Sequence, residues 1–186
     1  NPDVSQWNTE KVTNMRRVFK GTKLANPDVA TWDTSSVITM QGMFAGSDVA
    51  DPDVSLWQTY NVQSMEAMFE RASVANPDVS DWNITEVTTL DWMFYLSVLA
   101  NPDVSDWQTG TVISMEGMFS EAFSANPNVS NWNTSSLESA RHMFSEAPNA
   151  NPDLSSWEVA GITSFSSMLT DSNISVENYS NFLMRL

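Results

Sequence analysis

A single phrase recurs seven times at a spacing of 25 residues, and no other property limits the possible folds so sharply. The first copy reads NPDVSQWNTEKVTNMRRVFKGTKLA, and the register restarts without insertion at residues 26, 51, 76, 101, 126 and 151. A fixed period of this size predicts one structural unit per repeat, with each unit burying its apolar side against its neighbours. The expected body is a repeat solenoid over residues 1–175, with a surface that favours binding over catalysis.

The columns separate interior from surface. The fourth place is Val or Leu154, the seventh is Trp in every copy, and the nineteenth is Phe until Leu169. Met occupies the eighteenth place except at Val18. Pro at the second place suits the start of a short strand, because it fixes φ and lacks an N–H. The fourteenth place (Asn14, Thr39, Ser64, Thr89, Ser114, Ser139, Ser164) holds only residues that cap helices well. The apolar places 15, 18, 19 and 22 then have helical spacing. The sequence therefore predicts an α/β repeat solenoid of strand–turn–helix units. It would be a right-handed superhelix with a parallel sheet. After Ser175 the phrase stops, and Val176, Tyr179, Phe182, Leu183 and Leu186 fall on one helical stripe, predicting a C-terminal capping helix over 176–186. The chain opens on the first place of a repeat with no leader or comparable cap, which predicts that it is a piece of something longer.

Charge narrows the partners. The net charge is −15, yet repeat one carries Lys11, Arg16, Arg17, Lys20 and Lys23 against two acidic residues, a net of +3. The rest holds three basic and 21 acidic residues, a net of −18. Such a surface disfavours nucleic acid, which requires a basic footprint. No apolar run approaches the ~18 residues of a membrane helix, so direct membrane insertion is not expected. Cysteine is absent, which removes disulfides and thiolate metal sites.

The strings VTNMRRVF, VITMQGMF, VQSMEAMF and VISMEGMF, each preceded by DVSxW or DVAxW and a Thr, resemble the 26-residue repeat of bacterial surface proteins. That repeat belongs to the BspA-like group related to leucine-rich repeats. The resemblance covers about residues 1–175, although the period here is 25. It implies an extracellular or cell-surface bacterial protein that adheres to other molecules, and it carries over neither a catalytic residue nor a cofactor.

Each candidate site has a plainer alternative. The Asp column at the third place, with Asp28, Asp53, Asp78 and Asp103, is a weak calcium ladder or a row of Asx-turns. Asn128 in the same column favours the turns. The Trp column reads as core, with sugar stacking as the alternative. Thr at the ninth place reads as turn bonding rather than an ice-binding ladder. His142 is the single histidine and has no companion suited to a zinc site or a triad. The irregular residues are more informative. Trp92, Tyr95 and Leu96 make the fourth repeat's presumed helix apolar nearly all round, and Leu56, Tyr60 and Phe123 add apolar groups nearby. These six are the candidate contact residues of an exposed patch, or else they repack locally. The expected function is a non-enzymatic adhesion or protein-binding module whose ligand is a protein or a host or cell-surface molecule. A structural spacer is the alternative and carbohydrate binding ranks lower. Self-association through the Asn1 end is a further expectation.

Overall fold

The computed structural model describes residues 3–186, and over these the repeat is built almost wholly from turns. Each 25-residue coil lies in register on the next. Among the described residues the only inter-coil ladder pairs are isolated parallel bridges at the fourteenth place, running Asn14–Thr39–Ser64–Thr89–Ser114–Ser139–Ser164. No strands extend from these bridges, and the only α-helix among the described residues is α1 (Val176–Leu183).

The second repeat shows how the backbone is satisfied. The N–H groups of Met40, Gly42, Phe44 and Gly46 donate to the carbonyls of Ser64, Glu66, Met68 and Glu70 in the next coil, at 2.6–3.0 Å. Alternating with them, Met43, Ala45 and Ser47 donate back to Met40, Gly42 and Phe44, closing four-residue turns at 3.0–3.2 Å. Alternation between the neighbouring coil and the preceding turn leaves no run of bonds from residue i to i−4, the defining feature of an α-helix. Two of these turns need a left-handed residue in third position, and the chain supplies one at the seventeenth and twenty-first places. Gly42 has φ 59° and Gly46 φ 68°, but Arg17, Ala67, Trp92 and Glu121 adopt the same region without being glycine.

The expected α/β solenoid with a parallel sheet and leucine-rich-repeat-like helices is therefore not what this chain forms. The reason is spacing. Consecutive Phe rings at the nineteenth place sit 5.4–5.8 Å apart and nearly parallel. Packed helices need ~8–10 Å between axes, whereas hydrogen-bonded backbones approach to ~4.8 Å. The fourteenth-place residues are bridge residues, not helix caps. Asn14 accepts a bond from the N–H of Arg16 at 2.9 Å, two residues on, which is the bonding of a turn.

Columns of identical side chains fill the interior. Trp from repeats two to seven is buried, and adjacent indoles stack at about 6.4 Å where Trp32, Trp57 and Trp82 follow one another. Each indole N–H donates to the fourth-place carbonyl of the preceding coil, as Trp82 does to Val54 at 3.0 Å. The fourth and seventh places both face inward because a turn joins them, with Trp82 N–H bonded to Val79 carbonyl at 3.1 Å. Ninth-place Thr is also inside, where Thr34 Oγ1 accepts from Gln58 N–H at 2.8 Å and donates to its carbonyl at 3.1 Å. An exposed Thr ladder is thereby ruled out for these buried residues. The twenty-second place must be small because Ser47 Oγ reaches back to the Phe19 carbonyl, 2.6 Å away.

First-place side chains form a ladder of their own. Each accepts from the first-place N–H of the next coil, from Asp51 on Asn26 (3.0 Å) to Asn151 on Asn126 (2.9 Å). Asn151 passes the ladder to the C-terminal segment by accepting from Ser175 N–H at 2.8 Å. Ser175 in turn caps α1, its Oγ accepting from Asn178 N–H. Of the predicted apolar stripe only Phe182 is buried, edge-on to Phe165 at 5.5 Å, while Val176, Tyr179, Leu183 and Leu186 stay exposed. The Asn1 end lies outside the described residues. Truncating Trp82 removes its stack on Trp57 and a buried hydrogen bond together. Trp82→Ala is expected to cost about 3–5 kcal/mol in urea unfolding, and a loss below ~1 kcal/mol would contradict this account of the core.

Candidate functional site

Surface chemistry concentrates where the fourth repeat departs from its copies. Trp92 stands at the seventeenth place with φ 58°, in a column that holds Gly, Ala, Ser, Arg or His elsewhere. The left-handed backbone sends its side chain toward the next coil, where the ring lies flat over Gly117. A Cβ at Gly117 would come within 2.2 Å of the Trp92 ring carbons, so only glycine fits beneath it. Arg17 leans on Gly42 in the same way, its Cγ 3.3 Å from where a Cβ would be.

Tyr95 meets Trp92 edge to face, with centroids 5.2 Å apart and planes at 75°. The Tyr95 hydroxyl donates to Glu121 Oε1 at 3.1 Å. Arg71 places its guanidinium 5.7 Å from the Tyr95 ring centre and lies 3.8 Å from Glu70. Asp91 is tied down, accepting from Ser114 Oγ at 2.6 Å and Glu116 N–H at 2.7 Å. The result is a shallow open recess of about 330 Å³ lined by Glu66, Ala67, Glu70, Trp92 and Tyr95. An aromatic corner with carboxylates beside it suits a cationic or amphipathic side chain.

Three of the six expected contact residues, Trp92, Tyr95 and Leu96, are half-buried in this one coil. The other three are exposed but occupy other stretches of the coil. Leu56 is at the sixth place, Tyr60 at the tenth and Phe123 at the twenty-third. Among the described residues no ring contact joins Tyr60 or Phe123 to the Trp92–Tyr95 pair. The sequence reading missed Arg71, Glu121 and Gly117, because a helix would have pointed places 17, 20 and 21 in unrelated directions. The glycine one full period after Trp92 was the available signal.

The Asp column forms Asx-turns. Asp53 Oδ1 accepts from both the N–H (3.1 Å) and the hydroxyl (2.7 Å) of Ser55, and Asp103 does the same with Ser105. Asn128 makes the same two bonds with Ser130. Among the described residues no three His, Cys, Asp or Glu side chains group closely enough to hold a metal ion. The hydroxyl and then the amide of the following Ser hold the carboxyls of Asp3, Asp53, Asp103 and Asp153 below the ordinary Asp range. His142 is half-buried at the seventeenth place with φ 54°.

The family model described as "Mycoplasma protein of unknown function, DUF285" matches residues 1–99 and 75–182, and the chain belongs to this family. No curated protein and no solved structure matches it. Among the described residues no helix is long and apolar enough to cross a membrane.

The site analysis generates two expectations. Gly46→Ala should cost about 1–2 kcal/mol through its left-handed backbone alone. Gly117→Ala should cost ~1–3 kcal/mol more by displacing the Trp92 ring. That excess should vanish in the Trp92→Ala background, as a double-mutant cycle in urea reads directly; additivity would mean the ring does not sit on Gly117. The second expectation concerns acid. A carboxyl depressed in the fold stabilises it fully above the unfolded value of about 3.9, and this contribution is lost as pH falls through the lower folded value. Replacing Asp53, Asp103 and Asp153 together by Asn should therefore flatten the fall in melting temperature below about pH 4, and an unchanged acid slope would count against the Asx-turn linkage.

Proposed function

We propose that this chain is a non-enzymatic protein-binding or adhesion module of a surface-displayed bacterial protein, with Trp92 and Tyr95 as the centre of its contact surface. One observation carries the reading: two touching aromatic rings lie half-exposed, Trp92 on a glycine seat and Tyr95 against it, where other copies place small, polar or charged groups. Large aromatic side chains held rigid before binding lose little entropy on contact and dominate interface energetics. Display at the cell surface rests on the resemblance of the repeat motif to BspA-like surface repeats. The absence of a membrane-crossing helix among the described residues is compatible with it.

The spacer reading draws on a different observation. The unbroken Phe stack from Phe19 to Phe144 and the first-place ladder make each coil a near copy of the last, as a stiff separating element requires. Adhesion of protein-coated beads to cultured host cells separates the two. On the proposed reading the beads adhere, and Trp92→Ala with Tyr95→Ala lowers adhesion at least tenfold while the folded circular dichroism spectrum is kept. No adhesion by the unsubstituted chain would leave the spacer; full adhesion by the double variant would move the contact surface elsewhere.

A further inference from the structure

The face formed by places 16 to 21 changes character in order along the first three repeats. Repeat one presents Arg16, Arg17 and Lys20, all exposed. Repeat two adds little of its own to this face: Gln41 and Gly46 are half-buried, Ala45 is buried, and the Arg17 side chain lies over Gly42. Repeat three presents Glu66 and Glu70, both half-buried. Glu66 stands at the place of Arg16 and Glu70 at the place of Lys20, each two coils further on. Two coil steps are ~10 Å, too far for direct pairing within one molecule. Among the described residues the ion pairs are Lys11–Glu10 and Arg71–Glu70, so Arg16, Arg17, Lys20 and Lys23 face no carboxylate of their own chain.

We infer that this face is a self-complementary docking surface whose occupant is a second copy of the chain. A two-fold axis lying in the interface, parallel to the Gln41–Gly46 run, reverses the stacking direction and keeps each place opposite itself. Arg16 then meets Glu66 of the second copy and Lys20 meets its Glu70, and the symmetry repeats both pairs. Isologous pairing of this kind closes at two molecules. Gly46 near the axis adds no side chain, while each copy's Gly42 is covered by its own Arg17. The acidic remainder supplies the specificity, since a parallel or shifted arrangement sets like charges together. Three coils give a footprint below the ~800 Å² per partner of a standard interface, so the pairing is weak, electrostatic and salt-sensitive. It does not use the Trp92 ring, and it places the contact on a lateral face instead of at the Asn1 end.

A charge-swap experiment by sedimentation equilibrium tests this. The unsubstituted chain should show a weight-average mass rising above the 20.7 kDa monomer with concentration at low salt, and should return to it at ~0.5 M NaCl. Arg16→Glu/Lys20→Glu and Glu66→Lys/Glu70→Lys should each be monomeric alone. Mixed in equal amounts they should form the heterodimer, because the reversed residues of one then meet the reversed residues of the other, natural meets natural, and every pair is opposite in sign. That recovery also shows both variants folded. Trp92→Ala should dimerise like the unsubstituted chain, so loss of adhesion and loss of pairing can be told apart. A monomer throughout at low salt, dimers in either single variant, or no recovery on mixing would each overturn the inference.

Discussion

Everything in this molecule follows from the distance between one coil and the next. Main-chain hydrogen bonds set that distance at ~4.8 Å, and the stacked Phe and Trp rings follow one another at 5.4–6.5 Å. An element thicker than a single extended or turning chain does not fit between such layers. The chain therefore makes turns where its apolar spacing resembles a helix, and it recruits a left-handed residue twice per coil to do so. Among the described residues, ten that are not glycine accept that conformation. Each forfeits roughly 1–2 kcal/mol, a loss that in-register stacking on both sides offsets.

The buried columns were legible in the sequence, and the local conformation was not. Val54, Trp57, Met68 and Phe69 repeat at fixed places, and all are interior. Indole bonding to the fourth-place carbonyl explains why no other residue replaces Trp. The helix was misread because places 15, 18, 19 and 22 satisfy both a 3.6-residue period and two successive turns facing one core. Gly42, Gly117, Gly21 and Gly46 distinguish the two readings. Glycine is poor inside a helix but natural at a left-handed turn position, and all four stand where the turns require it. Ser and Thr at the fourteenth place misled similarly, since residues that cap helices also bond locally in turns.

The candidate surface was half legible for a related reason. Trp92 and Tyr95 stood out as departures from their columns, and the structure brings them into contact. Arg71 and Glu121 were invisible, since contact between places 20 and 21 of successive repeats depends on the turn geometry rather than on any helical face. Membership of the DUF285 family adds the repeat's wider occurrence without adding chemistry. The functional reading therefore rests on which surface places are allowed to vary and on what the variation presents.

The lean of Arg17 and Trp92 onto the following coil sets a rule of spelling for the whole face. Arg17 is followed by Gly42, Ala67 precedes Trp92, Gly117 comes next, and then His142 precedes Ser167. A bulky group at this place takes the room its successor would need, so each large residue in the column is followed by a small one. Bulky groups at this place cannot occupy consecutive repeats, and those that recur must stand at least two coils, or ~10 Å, apart. A surface diversified by exchanging whole repeats would carry this restriction with it: units can be shuffled freely in their interiors, but at the seventeenth place every large residue must bring its own small neighbour.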